Sequence, residues 1–333
     1  MKKILAYAFI SAFFAFNIGN IFFPYSAMAQ TGKYSAITQT GNSRSGFSFV
    51  AAGDWGCGNA AEKTFSMMKK MKPELYLGLG DYSYEDSMDC WFDIVKEAGP
   101  LMKIAVGNHD TEESLLKDLM NKFGLDKQYY SFDYHNVHFL ALSTELESAD
   151  EYDDQFQFAS DDLANARLDK KIDWIIVFQH RPLYSGSGME FDELREPYHR
   201  LFEKYHVDLV LAGHIHNYER SYPILYNEDN PAKPTITDHE NNQYFKPQGT
   251  IFAIVGTGGE SIKSIDWEPS FLEKTFEGYG CIEVQIEGKQ LRAEYYTDDG
   301  KTIDKFSIIK DNNKLNQFDS ENNIHEAALY NKY

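Results

Sequence analysis

The sequence predicts a mixed α/β fold with two sheets in face contact. Three observations lead there. Apolar, strand-like runs alternate with amphipathic stretches through the amino-terminal and middle parts of the chain, whereas the last strand runs follow one another across turns. Strand–helix alternation builds parallel sheet and strand–turn alternation builds antiparallel sheet, so both belong to one architecture. At 333 residues, with 43% hydrophobic and 25% charged residues, the chain is also long enough and apolar enough to bury a sizeable core.

The elements follow in order. Met1 to Ala29 has the layout of a secretory signal: Lys2 and Lys3, an apolar run from Ile4 to Phe23, then small residues at Ala27 and Ala29. Cleavage is expected after Ala29. The length of the apolar run keeps an uncleaved membrane anchor as the alternative, and either arrangement exports the body of the protein. Residues 30–45 read as a polar linker, 46–310 as one domain, and 311–333 as a polar tail. Within the domain, "FSFVAAG" is a strand and Asn59 to Met71 has helical spacing. "ELYLGLG" and "MKIAVG" are strands, and "TEESLLKDLMNKF" is a helix whose acidic first turn suits the helix dipole. "QYYSFDY" and "NVHFLAL" read as antiparallel neighbours joined through His135 and Asn136. A helix from Phe156 to Asp169 leads into "DWIIVFQ", and another from Phe191 to Tyr205 leads into "VDLVLAG". Asn227 to Gln248 reads as a long surface loop. Four strands close the domain: Thr250–Val255, Gly280–Ile286, Leu291–Tyr296 and Lys305–Ile309.

The formal charge of −19 becomes −21 once Lys2 and Lys3 leave with the signal. No basic stripe appears anywhere, which speaks against nucleic acid as a partner. None of the three cysteines is spaced for a CxxC site. Export favours a disulfide, and Cys57 with Cys90 is the natural pair because both follow short glycine-flanked loops. Cys281 reads as a small buried strand residue.

The strand ends carry the chemistry. In open α/β sheets, ligands gather beyond the carboxyl ends of the strands. "FVAAGDWG" delivers Asp54 there, and "LGLGDYSY" delivers Asp81 and Tyr84. "IAVGNHD" delivers Asn108, His109 and Asp110, "IIVFQH" delivers His180, and "LVLAGHIH" delivers His214 and His216. In extended chain the last two project to the same side. Any one of these residues alone is ordinary; five strands each ending in a donor are not. The set holds more donors than one tetrahedral zinc needs and suits two ions sharing an aspartate. Phenolate and carboxylate favour a hard, highly charged ion, while imidazole and amide suit a divalent one. Two such ions would clamp a tetrahedral oxyanion and acidify a water between them, which points to phosphate hydrolysis.

The motifs "GDWG", "GDYSY", "GNHD", "VFQH" and "GHIH", in this order, resemble those of the purple acid phosphatases within the calcineurin-like metallophosphoesterases. The resemblance runs from about Phe47 to Ile309 and includes "NYERSYP". It implies two mixed β-sheets packed face to face and flanked by helices. It also implies Fe(III) held by Asp54, Tyr84 and His216, with Asp81 bridging to a divalent Fe, Zn or Mn held by Asn108, His180 and His214. The implied reaction is hydrolysis of phosphate monoesters at acidic pH through direct attack of a metal-bound hydroxide, on small phosphate-ester substrates. His109 would touch phosphate and aid the leaving group, a task suited to imidazole.

Two departures from the family pattern stand out. Only a short linker precedes the first motif, as in the short form that lacks an upstream β-sandwich. The loop after His180, "RPLYSGSGMEF", also has no histidine where many relatives place one against phosphate. Arg181, Tyr184, Ser185 or Ser187 are the substitutes on offer, since His199 lies in the following helix and faces elsewhere. The same donors would also serve a phosphodiesterase, or an exported protein that binds metal or phosphate without turnover.

Overall fold

The computed structural model describes residues 46–187, 192–240, 242–265 and 267–311. The expected signal, the linker and all but the first residue of the tail lie outside them. Chain order runs β1 (Phe47–Ala52), α1 (Asn59–Met71), β2 (Leu75–Gly78), α2 (Asp89–Val95), β3 (Met102–Ile104), α3 (Glu113–Phe123), β4 (Tyr130–Tyr134) and β5 (Val137–Ala141). It continues with α4 (Ala149–Leu168), β6 (Trp174–Phe178), α5 (Asp192–Lys204), β7 (Leu209–Ala212), β8 (Tyr218–Ser221), β9 (Ile224–Leu225) and β10 (Thr235–Ile236). The last elements are β11 (Gln243–Phe245), β12 (Ile251–Val255), β13 (Leu272–Phe276), β14 (Gly280–Glu287), β15 (Gln290–Thr297) and β16 (Thr302–Ile309).

These strands form two seven-stranded mixed sheets, ordered β11-β16-β15-β14-β1-β2-β3 and β13-β8-β12-β7-β6-β5-β4. In the first, β1, β2 and β3 are parallel and β14 to β16 make an antiparallel meander. In the second, β5, β6, β7 and β12 are parallel, and β4 pairs antiparallel with β5 as the sequence suggests.

The apolar runs explain the layering. Phe139, Ile176, Leu211 and Ala253 point into a core shared with Phe49, Val284 and Ala293 of the other sheet. Their neighbours Leu140, Val177, Val210 and Phe252 point the opposite way, against Leu163 of α4 and Phe202 of α5. Strands buried on both faces need continuous apolar sequence, which is what "WIIVF" and "LVLA" supply. Phe49 meets Phe139 edge to face across the sheet interface at 5.3 Å. On the outer side of the first sheet, Phe65 of α1 packs on Tyr76 of β2.

Besides α2, β9 and β13, which the sequence reading lacks, the structure departs from it in three places. α4 begins at Ala149, not near Phe156, because Ser148 and Glu151 form a capping box that starts it seven residues earlier. The stretch Asn227 to Gln248 is not only surface loop: β10 and β11 lie within it, and Tyr244 is fully buried. The "YERS" run forms β8, with Glu219 and Arg220 both inside the protein. Arg220 can be buried because Asp304 of the other sheet takes its Nε at 2.6 Å and its Nη2 at 3.0 Å. Tyr218 donates to the same carboxylate at 2.8 Å, and Tyr244 and Asn242 accept the remaining Arg220 donors. The network ties one sheet to the other.

A second buried charge sits between β5 and α4. His138 places Nδ1 2.7 Å from Asp133 and Nε2 2.7 Å from Asp162. Burial opposes its charge, but hydrogen bonds to the two carboxylates prevail and push it up to about 9. Its folded value lies above the ordinary one near 6.5, so the stabilisation is complete below that pH and is lost as pH climbs through about 9. Asp133 is half exposed, and water around it reduces the effect. His138→Gln should therefore cost on the order of 2 kcal/mol at pH 5.5 and little at pH 10, read from urea unfolding at each pH.

Candidate metal centre

All eight candidate residues sit beyond the carboxyl ends of the parallel strands. Asp54 follows β1, Asp81 and Tyr84 follow β2, and Asn108 and His109 follow β3 in the first sheet. His180 follows β6, and His214 and His216 follow β7, in the second. The two sheets meet there directly: the Leu79 carbonyl accepts from His180 Nδ1 at 2.8 Å, and Asp54 accepts from the His214 amide at 2.8 Å.

The side chains fall into two groups. Tyr84 Oη lies 3.2 Å from Asp54 Oδ1 and 3.1 Å from His216 Nε2. His180 Nε2 lies 3.1 Å from Asn108 Oδ1 and 3.2 Å from His214 Nδ1. One oxygen belongs to both groups: Asp81 Oδ2 is 3.2 Å from Tyr84 Oη and 3.3 Å from His180 Nε2. Its partner Oδ1 is held by the His109 amide at 2.8 Å.

Most of these atoms are acceptors facing acceptors. The Leu79 and Ser261 carbonyls can only accept, so in the neutral tautomer Nδ1 of His180 and Nδ1 of His216 carry the protons and the Nε2 lone pairs turn inward. Carboxylate, amide and imidazole lone pairs crowded together fit positive charge between them, so the residues present suit a pair of cations. Burial works against ionising Asp81, yet His180 and the His109 amide hold its carboxyl down at about 2. Burial likewise opposes the charge of His180, and Asp81 pushes it up to about 10. His214 is held down at about 3 by burial, then by His180 and Arg181. Burial, followed by Asp54 and Asp81, drives the Tyr84 phenol far above its ordinary range. A strongly charged cation is needed to remove that proton.

The backbone is bent to reach this arrangement. Asp54, Asp81, Tyr84 and His214 have φ of 58°, 55°, 58° and 70°. Left-handed backbone is uncommon for tyrosine and histidine, and such residues concentrate at working sites. The glycines before the donors have a role beyond turning the chain. A Cβ on Gly107 would lie 2.2 Å from Asp81 Oδ1, and one on Gly80, itself at φ +89°, would lie 2.5 Å from His180 Nδ1. Neighbouring donors occupy the space that a side chain would take.

Asp110 has a larger part than its place in "GNHD" suggests. Fully buried, it accepts from the amides of Asp81, Tyr82 and Gly107 at 2.8, 3.0 and 2.8 Å, lashing the loop after β2 to the loop after β3. A disulfide between Cys57 and Cys90, with Cα atoms 5.7 Å apart, ties the loop carrying Asp54 to α2 beyond Tyr84. Cys281 is free and buried, as its sequence setting suggests. The proposed substitutes after His180 are mostly committed elsewhere. Tyr184 donates to His199 Nδ1 at 2.7 Å, Ser185 pairs with Ser187, and the Gly186 amide donates to Glu219 at 2.6 Å. Arg181 is clamped by Glu145 at 2.6 and 2.9 Å. His109 is exposed, with its ring 4.4 Å from that of Tyr84.

Residues 47–218 match the family model described as calcineurin-like phosphoesterase. The chain belongs to that family. Its relatives include purple acid phosphatase 21 of Arabidopsis thaliana, 35% identical over 37% of this chain and 30% of that protein. Another is the probable inactive purple acid phosphatase 1 of the same plant, 32% identical over 56% of this chain and 31% of that protein. The chain thus spans under a third of the length of these relatives. Among solved structures, a purple acid phosphatase from yellow lupin (Lupinus luteus) seeds superposes with a TM-score of 0.65 at 24% identity, covering 81% of this chain and 55% of that one. The two-sheet phosphoesterase fold is therefore shared. Within it, Asp110→Ala would leave three buried amides unpaired and release the Asp81 loop. The expected loss is on the order of 2–4 kcal/mol in thermal unfolding, with weaker metal uptake in a titration.

Proposed function

We propose that this phosphoesterase is a dinuclear-metal phosphatase acting on phosphate monoesters at acidic pH. Asp54, Tyr84 and His216 would hold Fe(III), Asn108, His180 and His214 a divalent Fe, Zn or Mn, and Asp81 would join both. The observation that carries this reading is the Asp81 Oδ2 atom, within 3.3 Å of a donor in each group. When bound, the two cations supply the charge that holds phosphate oxygens and acidifies the attacking water. The chain's own residues do the rest. His180 and His216 keep their inward lone pairs because backbone carbonyls fix their outer protons. The His109 amide fixes the Asp81 carboxylate, while its exposed ring stands at the mouth of the site, where it can give a proton to a departing alkoxide. Export fits the same picture: the expected signal ends at Ala29, and the Cys57–Cys90 bridge suits an oxidising compartment.

Two measurements test the proposal. Protein loaded with iron under air should show a visible band from the Tyr84 phenolate, and elemental analysis should find two metals per chain. Tyr84→Phe should keep the fold and lose the band; a band that survives removes Tyr84 from the centre.

His109→Ala should keep both metals while turnover of an aryl phosphate falls by about 10²–10⁴-fold. Near-normal turnover would exclude His109 from proton transfer. Absence of metal-dependent phosphate release in the parent protein would instead favour binding without catalysis.

A further inference from the structure

We propose that Glu260 is a positioning residue for His216, and that the loop it closes after β12 holds the Asp54–Tyr84–His216 half of the centre together. This rests on the two-cation reading above. β12 belongs to the second sheet, but residues 256–263 beyond it are bonded to the first. The Gly258 amide donates to the Gly53 carbonyl at 2.8 Å, and the Gly259 and Glu260 amides both donate to the Asp54 carbonyl, at 3.0 and 2.9 Å. Thr257 exchanges bonds with Gly280 of β14. Its Oγ1 donates to the Gly280 carbonyl at 2.9 Å, and its own carbonyl takes the Gly280 amide at 3.0 Å. Glycine lets the loop come this close: a Cβ on Gly259 would stand 2.4 Å from the Trp55 carbonyl oxygen.

The same loop holds His216 by ring and by backbone. The Ser261 carbonyl accepts from Nδ1 at 2.8 Å, and the Lys263 amide donates to the His216 carbonyl at 2.9 Å. Only the first of these bears on the ring, so the place of Ser261 decides where Nε2 points. Ser261 is exposed, and packing does little to hold it. Glu260 does more. Its Oε1 accepts from the Ser261 amide at 2.8 Å, and its Oε2 lies over Gly56, 3.0 Å from where a Cβ would stand. Gly56 follows Asp54 by two residues and has φ of 63°. The carboxylate is thus bonded to the residue that orients His216 and seated on the loop that carries Asp54.

The other half takes its support elsewhere. The His180 ring is directed by the Leu79 carbonyl, in the loop after β2, and Asn108 sits in the turn after β3. Removing the Glu260 carboxylate should therefore loosen one half and spare the other.

The test titrates protein loaded with iron and zinc against a chelator and measures both retained metals by elemental analysis. Glu260→Ala should release half its iron at about tenfold lower chelator concentration than the parent, with its zinc curve moved by less than about threefold. Glu260→Gln keeps an acceptor for the Ser261 amide and should stay within about twofold of the parent for both metals. Unchanged iron retention in Glu260→Ala, equal loss of both metals, or failure of Glu260→Gln to rescue would overturn the assignment. A second measurement uses the metal-free protein with selectively labelled histidine. The Nδ1 proton of His216 should be visible by NMR in the parent and in Glu260→Gln, and lost to exchange in Glu260→Ala. If the parent takes up neither metal, the two-cation reading fails and this resonance alone decides Glu260: its persistence in Glu260→Ala would exclude the positioning role.

Discussion

Asp81 Oδ2 is shared by two donor groups, each drawn from both sheets, and the rest of the site depends on where that oxygen is held. Its position is set by backbone, not by its own side-chain freedom. The residue takes a left-handed φ of 55°, its amide is held by Asp110, and its second oxygen is pinned by the His109 amide. Asp110 in turn joins the loops after β2 and β3, so the Tyr84 and Asn108 arms move as one piece. The other sheet is locked to this assembly through Leu79 and Asp54, which bind His180 and His214. On the function proposed above, a carboxylate serving two cations would not tolerate drift between the sheets.

That requirement gives a purpose to the buried network beneath. Arg220 and Asp304 face each other from the two sheets, fully buried and saturated with hydrogen bonds. A buried ion pair is a weak source of net stability, since desolvation offsets much of the attraction. Its value here is registry: an apolar contact such as Phe49 on Phe139 permits sliding, whereas a forked guanidinium on a carboxylate does not. Because β8 begins two residues after His216, the clamp on Arg220 also fixes the strand that follows the last histidine.

The sequence displayed the site more fully than the scaffold. Glycine, donor and apolar strand are adjacent in the chain, so Asp54, Asp81, Tyr84, Asn108, His180, His214 and His216 could be found by reading strand ends. What stayed hidden involves distant partners. "YERS" reads as polar loop unless Asp304 is known to lie opposite, and Tyr244 reads as surface unless Arg220 awaits it. β13 lies at the edge of its sheet with every residue half exposed, and so shows no alternation to detect. The start of α4 was legible in the "SADE" capping box; the apolar spacing that begins only at Phe156 masked it. The strand-end glycines stand in plain view in the sequence, yet the close approach of Asp81 and His180 that excludes a side chain at Gly107 and Gly80 is a three-dimensional fact.

The acidity of the chain sets the last constraint. At a formal −19 the surface repels a phosphate ester, although salt confines that repulsion to about 8 Å at physiological strength. Capture therefore has to be local. The chain handles its arginines accordingly. Arg220 is spent between the sheets, Arg195 is buried over the Tyr184 ring with its Nε on the Leu183 carbonyl, and Arg181 is paired with Glu145. The Lys263 amide donates to the His216 carbonyl at 2.9 Å. Charges within a few ångströms of an anion act where screening is weak, while the acidic exterior acts over distances where screening is strong. An acidic protein can thus keep its solubility from one set of charges and its anion binding from another, provided the second set is held rigid.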